Sequence, residues 1–152
     1  MERITSFSTD HTKFGVGMYI SRIDDDIITY DVRMKKPNGG DYLSGTSAHT
    51  IEHLFATFAR NSDIKADVIY VGPMGCLTGF YVLLRSKEKE AAIKLVKDAL
   101  EFIKDFQGEL PGSKFEECGN FAFHDLEKAK KDVSELSEIL KNYSPEQLIY
   151  PV

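Results

Sequence analysis

The chain contains few cysteines and no long apolar run. Two cysteines in a reducing cytosol do not indicate a disulfide framework, so Cys76 and Cys118 are candidates for buried thiols, metal ligands or reactive groups. The first residues, "MERITSFSTDHTKF", lack the apolar segment of a secretory signal, and no window approaches the roughly 20 apolar residues that span a bilayer. We therefore expect a cytoplasmic protein with no membrane partner.

The sequence also lacks a block of charge of one sign. Lys and Arg number 19 and Asp and Glu number 24, which gives a net charge of -5 with the two signs interspersed. A protein that follows a phosphate backbone needs a concentrated basic surface, so nucleic acid is not an expected partner. The 152 residues are about enough for one domain that buries its own core, and we expect a single domain over residues 1–152.

Two pairs of β-rich runs predict two hairpins. "GVGMYISRI" and "IITYDVRM" flank an acidic turn at residues 24–26, and "ADVIYVGPMGCLTGFYVLLRS" reads as strand, Gly/Pro-rich turn and strand, with Cys76 at the exit of the turn. Hairpins interspersed with helices are typical of an α+β fold. We expect an antiparallel β-sheet packed against helices as an α/β sandwich.

Helical periodicity predicts where those helices lie. The first begins after "KKPNGGDYLSGTS" with Thr46 or Ser47 as N-cap, buries Ala48, Ile51, Phe55 and Phe58, and ends near Asn61. A second runs from about Glu88 to Phe106 and carries on one face Ala92, Leu95, Val96, Ala99, Phe102 and Ile103. A third is opened by Asp125, and Ser144 caps a short one in "SPEQLIY".

The first helix carries the motif "HTIEH" at positions 49 to 53. On a helix His49 and His53 are about 40° apart and Glu52 lies about 60° from His49, so one face presents two imidazoles and a carboxylate at the edge of the core. The motif alone leaves two interpretations open: three ordinary surface residues, or two metal ligands with a working carboxylate beside them.

A third ligand would favour the metal interpretation, and "FEECGNFAFH" offers Glu116, Glu117, Cys118 and His124. Cys118 is the strongest candidate because a thiolate beside two imidazoles suits a borderline or soft divalent metal. Three protein ligands leave one coordination position open for a substrate, which is typical of a catalytic site. The alternative for Cys118 is a small buried residue, but charged and turn-forming neighbours do not resemble core. We interpret His124 as part of a helix cap or a support for a ligand.

The remaining candidates carry weaker signals. Cys76 follows "GPMG", a turn that exposes its neighbours, so it is either a packed thiol or a thiolate favoured by a nearby cation such as Arg33, Lys35 or Lys36. Arg33 alternates with apolar residues on a strand, which by itself predicts a solvated strand face. Ser6 and His11 by themselves are typical of surface residues.

Five ordered segments together resemble one known family. They are "SFSTDHTK", "YDVRMKKPN", "HTIEHLFATFARNS", "GPMGCLTGFY" and "ECGNFAFHDLEKAK", and they extend over most of the chain. In this order and at this spacing the chain resembles the S-ribosylhomocysteine lyases, the LuxS family of autoinducer-2 synthesis.

The resemblance implies a role for each candidate. His49, His53 and Cys118 would hold the metal, Fe(II) natively and replaceable by Zn or Co, with no organic cofactor. Glu52 and Cys76 would be the catalytic acid/base pair, and the substrate pocket would be lined by Ser6, His11 and Arg33. The implied reaction converts S-ribosylhomocysteine to homocysteine and 4,5-dihydroxy-2,3-pentanedione by successive proton transfers and β-elimination. The implied assembly is a homodimer with its sites at the subunit interface.

One departure and two rival functions remain. Tyr70 and Gly72 stand where the family usually has an acidic residue followed by a serine, which predicts rearranged contacts to the sugar hydroxyls. One rival is a non-catalytic metal-binding module, in which Cys76 would close a tetrahedron as fourth ligand. The other is a metallopeptidase of the H-x-x-E-H type, against which the short chain and Cys118 both count.

Overall fold

Four strands form one antiparallel sheet in the computed structural model, which describes residues 1–85 and 88–152. They are β1 (Gly17–Asp24), β2 (Ile27–Arg33), β3 (Val68–Pro73) and β4 (Gly79–Leu84), in the spatial order β1-β2-β4-β3. The turn between β1 and β2 contains Asp25 at φ 54, a left-handed conformation that Asp adopts more readily than most residues. Both predicted hairpins are therefore confirmed, except that Ser86, the last residue of the second run, lies outside the described residues.

Alternation along the strands gives the sheet two different faces. One face buries Ile28, Tyr30 and Val32 of β2 in the main hydrophobic cluster, beside Phe80, Val82 and Leu84 of β4. Because successive side chains of a strand point to opposite faces, Asp31 and Arg33 lie together on the other one. Helices cover the apolar face, whereas Phe14 and Tyr150 pack on the face that carries Asp31 and Arg33.

Helices of very different length follow and precede the strands. They are α1 (Thr5–Ser8), α2 (Gly45–Ala59), α3 (Lys89–Asp105), α4 (Leu126–Asp132) and α5 (Ser134–Leu140), with 3-10 turns at Lys65–Asp67 and Pro145–Leu148. The apolar stripes predicted for α2 and α3 are buried, apart from Phe58 and Phe102, which are partly buried against the same cluster. The α+β prediction is confirmed. None of the helices in the described part of the chain has both the length and the apolar character that crossing a bilayer requires.

The start of α2 differs from the prediction. Its N-cap is Ser44, whose hydroxyl accepts a hydrogen bond from the backbone of Ser47 at 3.0 Å, while the Ser47 hydroxyl accepts one from the backbone of Ser44 at 3.0 Å. The predicted N-cap, Thr46 or Ser47, was therefore wrong, and the helix begins two or three residues earlier. The reason is that Ser44 and Ser47, three residues apart, cap each other reciprocally. Ser47 also donates to Asp132 at 2.7 Å, which fastens α4 to the beginning of α2.

The other helix ends are close to their predictions. Asp125 caps α4 by accepting from the backbone of Lys128, as predicted, but the helix is interrupted at Val133 and continues as α5. Ser144 caps the last element, as predicted, although that element is a 3-10 turn. Between α3 and α4 the segment 106–125 contains neither helix nor strand, and it lies against α2 through the contacts described next.

Candidate metal and active site

Helix α2 presents His49, Glu52 and His53 at the rim of the core. All three side chains are partly buried, whereas Ile51 and Leu54 between them are fully buried. The position at the edge of the core that helical geometry predicted is confirmed. At this depth water is limited, so polar groups need protein or ligand partners.

Backbone carbonyls orient both imidazoles. Nδ1 of His49 lies 2.7 Å from the carbonyl oxygen of Phe123, and Nδ1 of His53 lies 2.8 Å from that of Pro111. A carbonyl oxygen can only accept a hydrogen bond, so Nδ1 carries the proton in each ring and the lone pair of Nε2 is free. This is the arrangement by which proteins hold a metal-ligating histidine in one tautomer and one orientation.

Cys118 completes a group of three donor atoms. Its Sγ lies 3.4 Å from Nε2 of His49 and 3.9 Å from Nε2 of His53, and the three atoms all lie within 4.8 Å of one another. Around a tetrahedral ion with ordinary Zn–S and Zn–N bond lengths, sulfur and nitrogen would be about 3.6 Å apart, close to both distances. The donor set thus fits a borderline divalent metal, with room for one further ligand.

The loop that carries Cys118 is shaped for this contact. Gly112 has φ 71, and a Cβ built there would come within 2.9 Å of Nδ1 of His53. Only glycine therefore allows the loop to turn while Pro111 reaches the ring. The backbone N–H of Asn120 points at Cys118 Sγ across 3.5 Å.

His124 packs against the rings of His49 and His53. Its ring stacks on His49 with the centroids 4.1 Å apart, and its Nδ1 lies 3.0 Å from the hydroxyl of Thr50. Burial, followed by the nearby His49 and His53, lowers the pKa of His124 to about 4. The sequence interpretation of His124 as a support agrees with these contacts.

A separate cavity gathers the other predicted residues. It has a volume of about 540 Å³ and is lined by Ser6, His11, Arg33 and Cys76 among others. An adjoining cavity of about 360 Å³ is lined by His49 and Glu52. Residues 73–75 line both cavities, with Cys76 in the wall of the larger one and Glu52 in the wall of the smaller one.

Arg33 is buried, with 3% of its surface exposed, and the prediction of a solvated strand face is wrong. Its Nε and one terminal nitrogen donate to Asp31 at 3.0 and 2.6 Å, and the other terminal nitrogen donates to Thr78 at 2.7 Å. Burial alone would lower the pKa of Arg33, but the negative charge and hydrogen bonds of Asp31, together with nearby Cys76 and Tyr150, outweigh it and the pKa is raised. The side chain is thus a fixed cation.

Cys76 lies against this cation on the open side. Its Sγ is 3.8 Å from the Arg33 guanidinium and 3.0 Å from the hydroxyl of Thr78, while the residue itself is exposed. The packed-thiol alternative is therefore wrong. A cation and a hydroxyl thus lie within reach of an accessible sulfur.

Ser6 and His11 are partly buried residues of the N-terminal segment. His11 packs its ring on Phe14 at 5.2 Å and places Nδ1 2.8 Å from the carbonyl oxygen of Thr9. Both line the larger cavity rather than lying fully exposed. The sequence alone predicted two surface residues and missed the cavity, because α1 is too short to show helical periodicity.

Tyr70 and Gly72, which depart from the family pattern, are in contact with each other. Tyr70 is 52% exposed on β3, and its ring lies over Gly72, where any Cβ would collide with it. A side chain at position 72 would therefore need the exposed Tyr70 ring to move away. Neither residue is among those that line the two cavities just described.

Comparison with known proteins agrees with this geometry. Residues 4–146 match the model of the family described as S-ribosylhomocysteinase (LuxS). The chain is 44% identical over 158 residues to the S-ribosylhomocysteine lyase of Desulfotalea psychrophila, with 99% of each chain covered. It is 42% identical to that of Phocaeicola vulgatus, covering 99% of this chain and 98% of the relative, and 41% identical to that of Borreliella afzelii, covering 99% and 100%. With this fold and these similarities over nearly its whole length, the chain belongs to the S-ribosylhomocysteinase (LuxS) family.

Proposed function

We propose that this protein is a metal-dependent S-ribosylhomocysteine lyase, which cleaves S-ribosylhomocysteine to homocysteine and 4,5-dihydroxy-2,3-pentanedione, the autoinducer-2 precursor. The names of its relatives support the substrate. The observation that carries the proposal is the group formed by His49, His53 and Cys118, with Glu52 beside it and Cys76 in the adjoining cavity.

The proposed metal ligands are His49, His53 and Cys118, one site per subunit. Two imidazoles and a thiolate suit Fe(II), which we propose as the native metal, with Zn or Co able to substitute and no organic cofactor required. When bound, such an ion supplies Lewis-acid polarisation of a substrate carbonyl. The residues of the chain hold its position: the carbonyls of Phe123 and Pro111 fix both rings.

Glu52 and Cys76 are the proposed acid/base pair. The open-chain aldose of the substrate must become a 2-ketone and then a 3-ketone, and each change moves a proton from one carbon to its neighbour while oxygens exchange theirs. In the last step a base removes a proton from the carbon next to the carbonyl, and homocysteine leaves from the β-carbon as a thiolate that takes up a proton. Groups on two sides of the substrate suit successive transfers at different carbons.

The larger cavity is the proposed substrate pocket. Ser6 and His11 offer a hydroxyl and an imidazole to polar groups of the substrate there. Arg33 also lines the cavity, but its donors are engaged by Asp31 and Thr78, so its main proposed effect is to hold positive charge beside Cys76.

We further propose a cytoplasmic homodimer with its sites at the subunit interface, built on one domain over residues 1–152. Large apolar side chains are exposed around the site: Phe7 at 64% and Tyr42 at 42% line the larger cavity, and Phe123 at 43% lines the smaller one. Exposed aromatic residues at the rim of a polar cavity are typical of a surface that a partner covers.

The direct test is thiol release from S-ribosylhomocysteine by anaerobically purified, Fe(II)-loaded protein, read with a thiol reagent. Release should require both the metal and an intact Cys118. Absence of release above background would instead favour a non-catalytic metal-binding module. X-ray absorption at the metal edge separates the two: one sulfur and one exchangeable light-atom ligand indicate a catalytic site, and two sulfurs a closed one.

A further inference from the structure

The C-terminal end of the chain packs on the polar face of the sheet. The ring of Tyr150 stacks on Tyr19 with centroids 4.9 Å apart and an interplanar angle of 18°, and it contacts Phe14 at 4.9 Å. Phe14 in turn lies under the Arg33 guanidinium, 5.1 Å from its carbon. Tyr150 lies just beyond residues 4–146, which match the family model.

The hydroxyl of Tyr150 has two polar partners, the Asp31 carboxylate and the Ser21 side chain. It donates to Oδ2 of Asp31 at 2.6 Å, and the same oxygen accepts from the Arg33 guanidinium at 2.6 Å. Burial, together with the negative charge of Asp31, raises the pKa of Tyr150, so the hydroxyl remains a donor at any physiological pH. Asp31 is 1% exposed, and the bond from Tyr150 therefore compensates part of a buried negative charge.

The contacts continue from Asp31 to the thiol. Asp31 fixes two nitrogens of Arg33, and the third donates to the oxygen of Thr78 at 2.7 Å. Because that oxygen accepts from Arg33, the Thr78 hydroxyl hydrogen is free to point at Cys76 Sγ, 3.0 Å away. The Cys76 sulfur thus has two polar contacts, a donor from Arg33 at 3.8 Å and the Thr78 hydroxyl, and the geometry of both depends on the orientation of Arg33.

We infer that Tyr150 is a positioning residue for Cys76: through Asp31 it holds the Arg33 guanidinium in place and offsets the carboxylate charge, so that the Cys76 thiolate is favoured. The inference rests on the proposed function only in taking Cys76 as an acid/base group. Without the Tyr150 hydroxyl, less of the Asp31 charge is compensated, and a thiolate nearby becomes less favourable. The titratable and charged groups around Cys76 are Arg33 and Asp31 on β2, Tyr81 on β4, His11 and Tyr42 in the cavity wall, and Tyr150 in the tail.

The test measures the pH dependence of iodoacetamide alkylation at Cys76 in the full-length, metal-loaded protein, with peptide mapping to separate Cys76 from Cys118. Tyr150→Phe keeps the stacked ring and removes only the hydroxyl. We expect the midpoint of the alkylation profile to rise by about half a pH unit, which is roughly a threefold loss of rate below the midpoint. The matched control is Tyr143→Phe, whose hydroxyl donates to the backbone of Met18 at 2.7 Å; it should lower Tm without moving the profile.

A second pair of variants tests the contact between Thr78 and Cys76, at the Cys76 end of the same chain of contacts. Thr78→Val should raise the midpoint as Tyr150→Phe does, and Thr78→Ser should restore it, because serine retains the hydroxyl. An unchanged profile in Tyr150→Phe, or an equal shift in Tyr143→Phe, would overturn the inference. Failure of the wild-type protein to release thiol from S-ribosylhomocysteine would contradict the proposed function and leave the alkylation result standing.

Discussion

The imidazole of His53 and the carbonyl of Pro111 are joined by a 2.8 Å hydrogen bond, 58 residues apart in sequence. This bond leaves Nε2 of His53 aimed at Cys118, 3.9 Å away. A helix residue and a loop residue thus define one ligand position together, and the backbone of the loop matters as much as the side chain of the helix.

The first prediction follows from the glycine next to Pro111. Gly112→Ala should weaken metal binding by about 10- to 100-fold, the usual effect of disturbing a group that orients a ligand, because the new Cβ meets the His53 ring. Gly108→Ala is the matched control, since Gly108 also has a positive φ, of 105, but no atom within 4 Å of its Cβ position. Competition with a chromophoric chelator measures both affinities. Equal losses of metal affinity in the two variants would mean that backbone strain alone causes the effect.

The second prediction concerns the ligands. His49→Ala, His53→Ala and Cys118→Ala should each lose the metal, because three ligands leave no redundancy. His124→Ala should retain it, although the stacked support of His49 is lost. Metal content after gel filtration, by elemental analysis, reports occupancy. The assignment would be wrong if Cys118→Ala stayed fully loaded while Glu116→Ala or Glu117→Ala did not.

The third prediction concerns removal of the metal. A chelator should increase hydrogen exchange in the loop around Cys118 and leave β1–β4 protected, because the hydrophobic core does not include the three donors. The loop end near Asp125 should change least, since its backbone donates to Thr50 at 3.0 Å independently of any ion. Exchange that rises equally in the sheet would indicate that the metal holds the whole fold.

The fourth prediction separates Glu52 from Cys76. Glu52→Gln and Cys76→Ala should both retain metal but lose about 10²- to 10⁴-fold in turnover, the usual contribution of a general acid or base. If Cys76 serves the early transfers and Glu52 the later elimination, Glu52→Gln should let a 2-ketone accumulate and Cys76→Ala should not. NMR of carbon-labelled substrate detects the ketone. Loss of metal from Cys76→Ala would contradict its acid/base role.

The fifth prediction concerns assembly. Light scattering at micromolar concentration should give the mass of a dimer, because the exposed Phe7 and Phe123 beside the cavities are typical of a covered surface. Replacing Phe7 with Ser should weaken the dimer, whereas Ile23→Ser, at an exposed residue of the β1 end that lines neither cavity, should not. A stable and fully active monomer would exclude shared sites.

The sequence alone predicted what depends on side-chain period. The stripe of α2, the two hairpins and the shared face of His49, Glu52 and His53 follow from 3.6- and 2-residue repeats, and the structure has all of them. Ser44 was missed as the N-cap because the sequence offers several hydroxyls in a row, and only the reciprocal bond with Ser47 distinguishes them.

Other parts could not be read from the sequence. Pro111 and Phe123 act through backbone carbonyls, which every residue has, so no residue type marks them in advance. Burial of Arg33 was missed because alternation on a strand predicts which residues share a face but not whether another segment covers that face. The one available signal was Asp31, two residues away on the same side of β2, since an acid and a base so placed can be buried as a pair.

Loops usually accept insertions during evolution and in protein engineering, yet the segment from Pro111 to Phe123 should not. Its two ends bond to histidines one helical turn apart on α2, and its middle supplies Cys118 to the same point. The length of this segment must therefore match the spacing of His49 and His53 on α2. One added residue would move the Cys118 thiol away from the two imidazole rings. Residues 107–109 are exposed and lie outside these attachments, which makes them the place to graft a tag or vary the sequence.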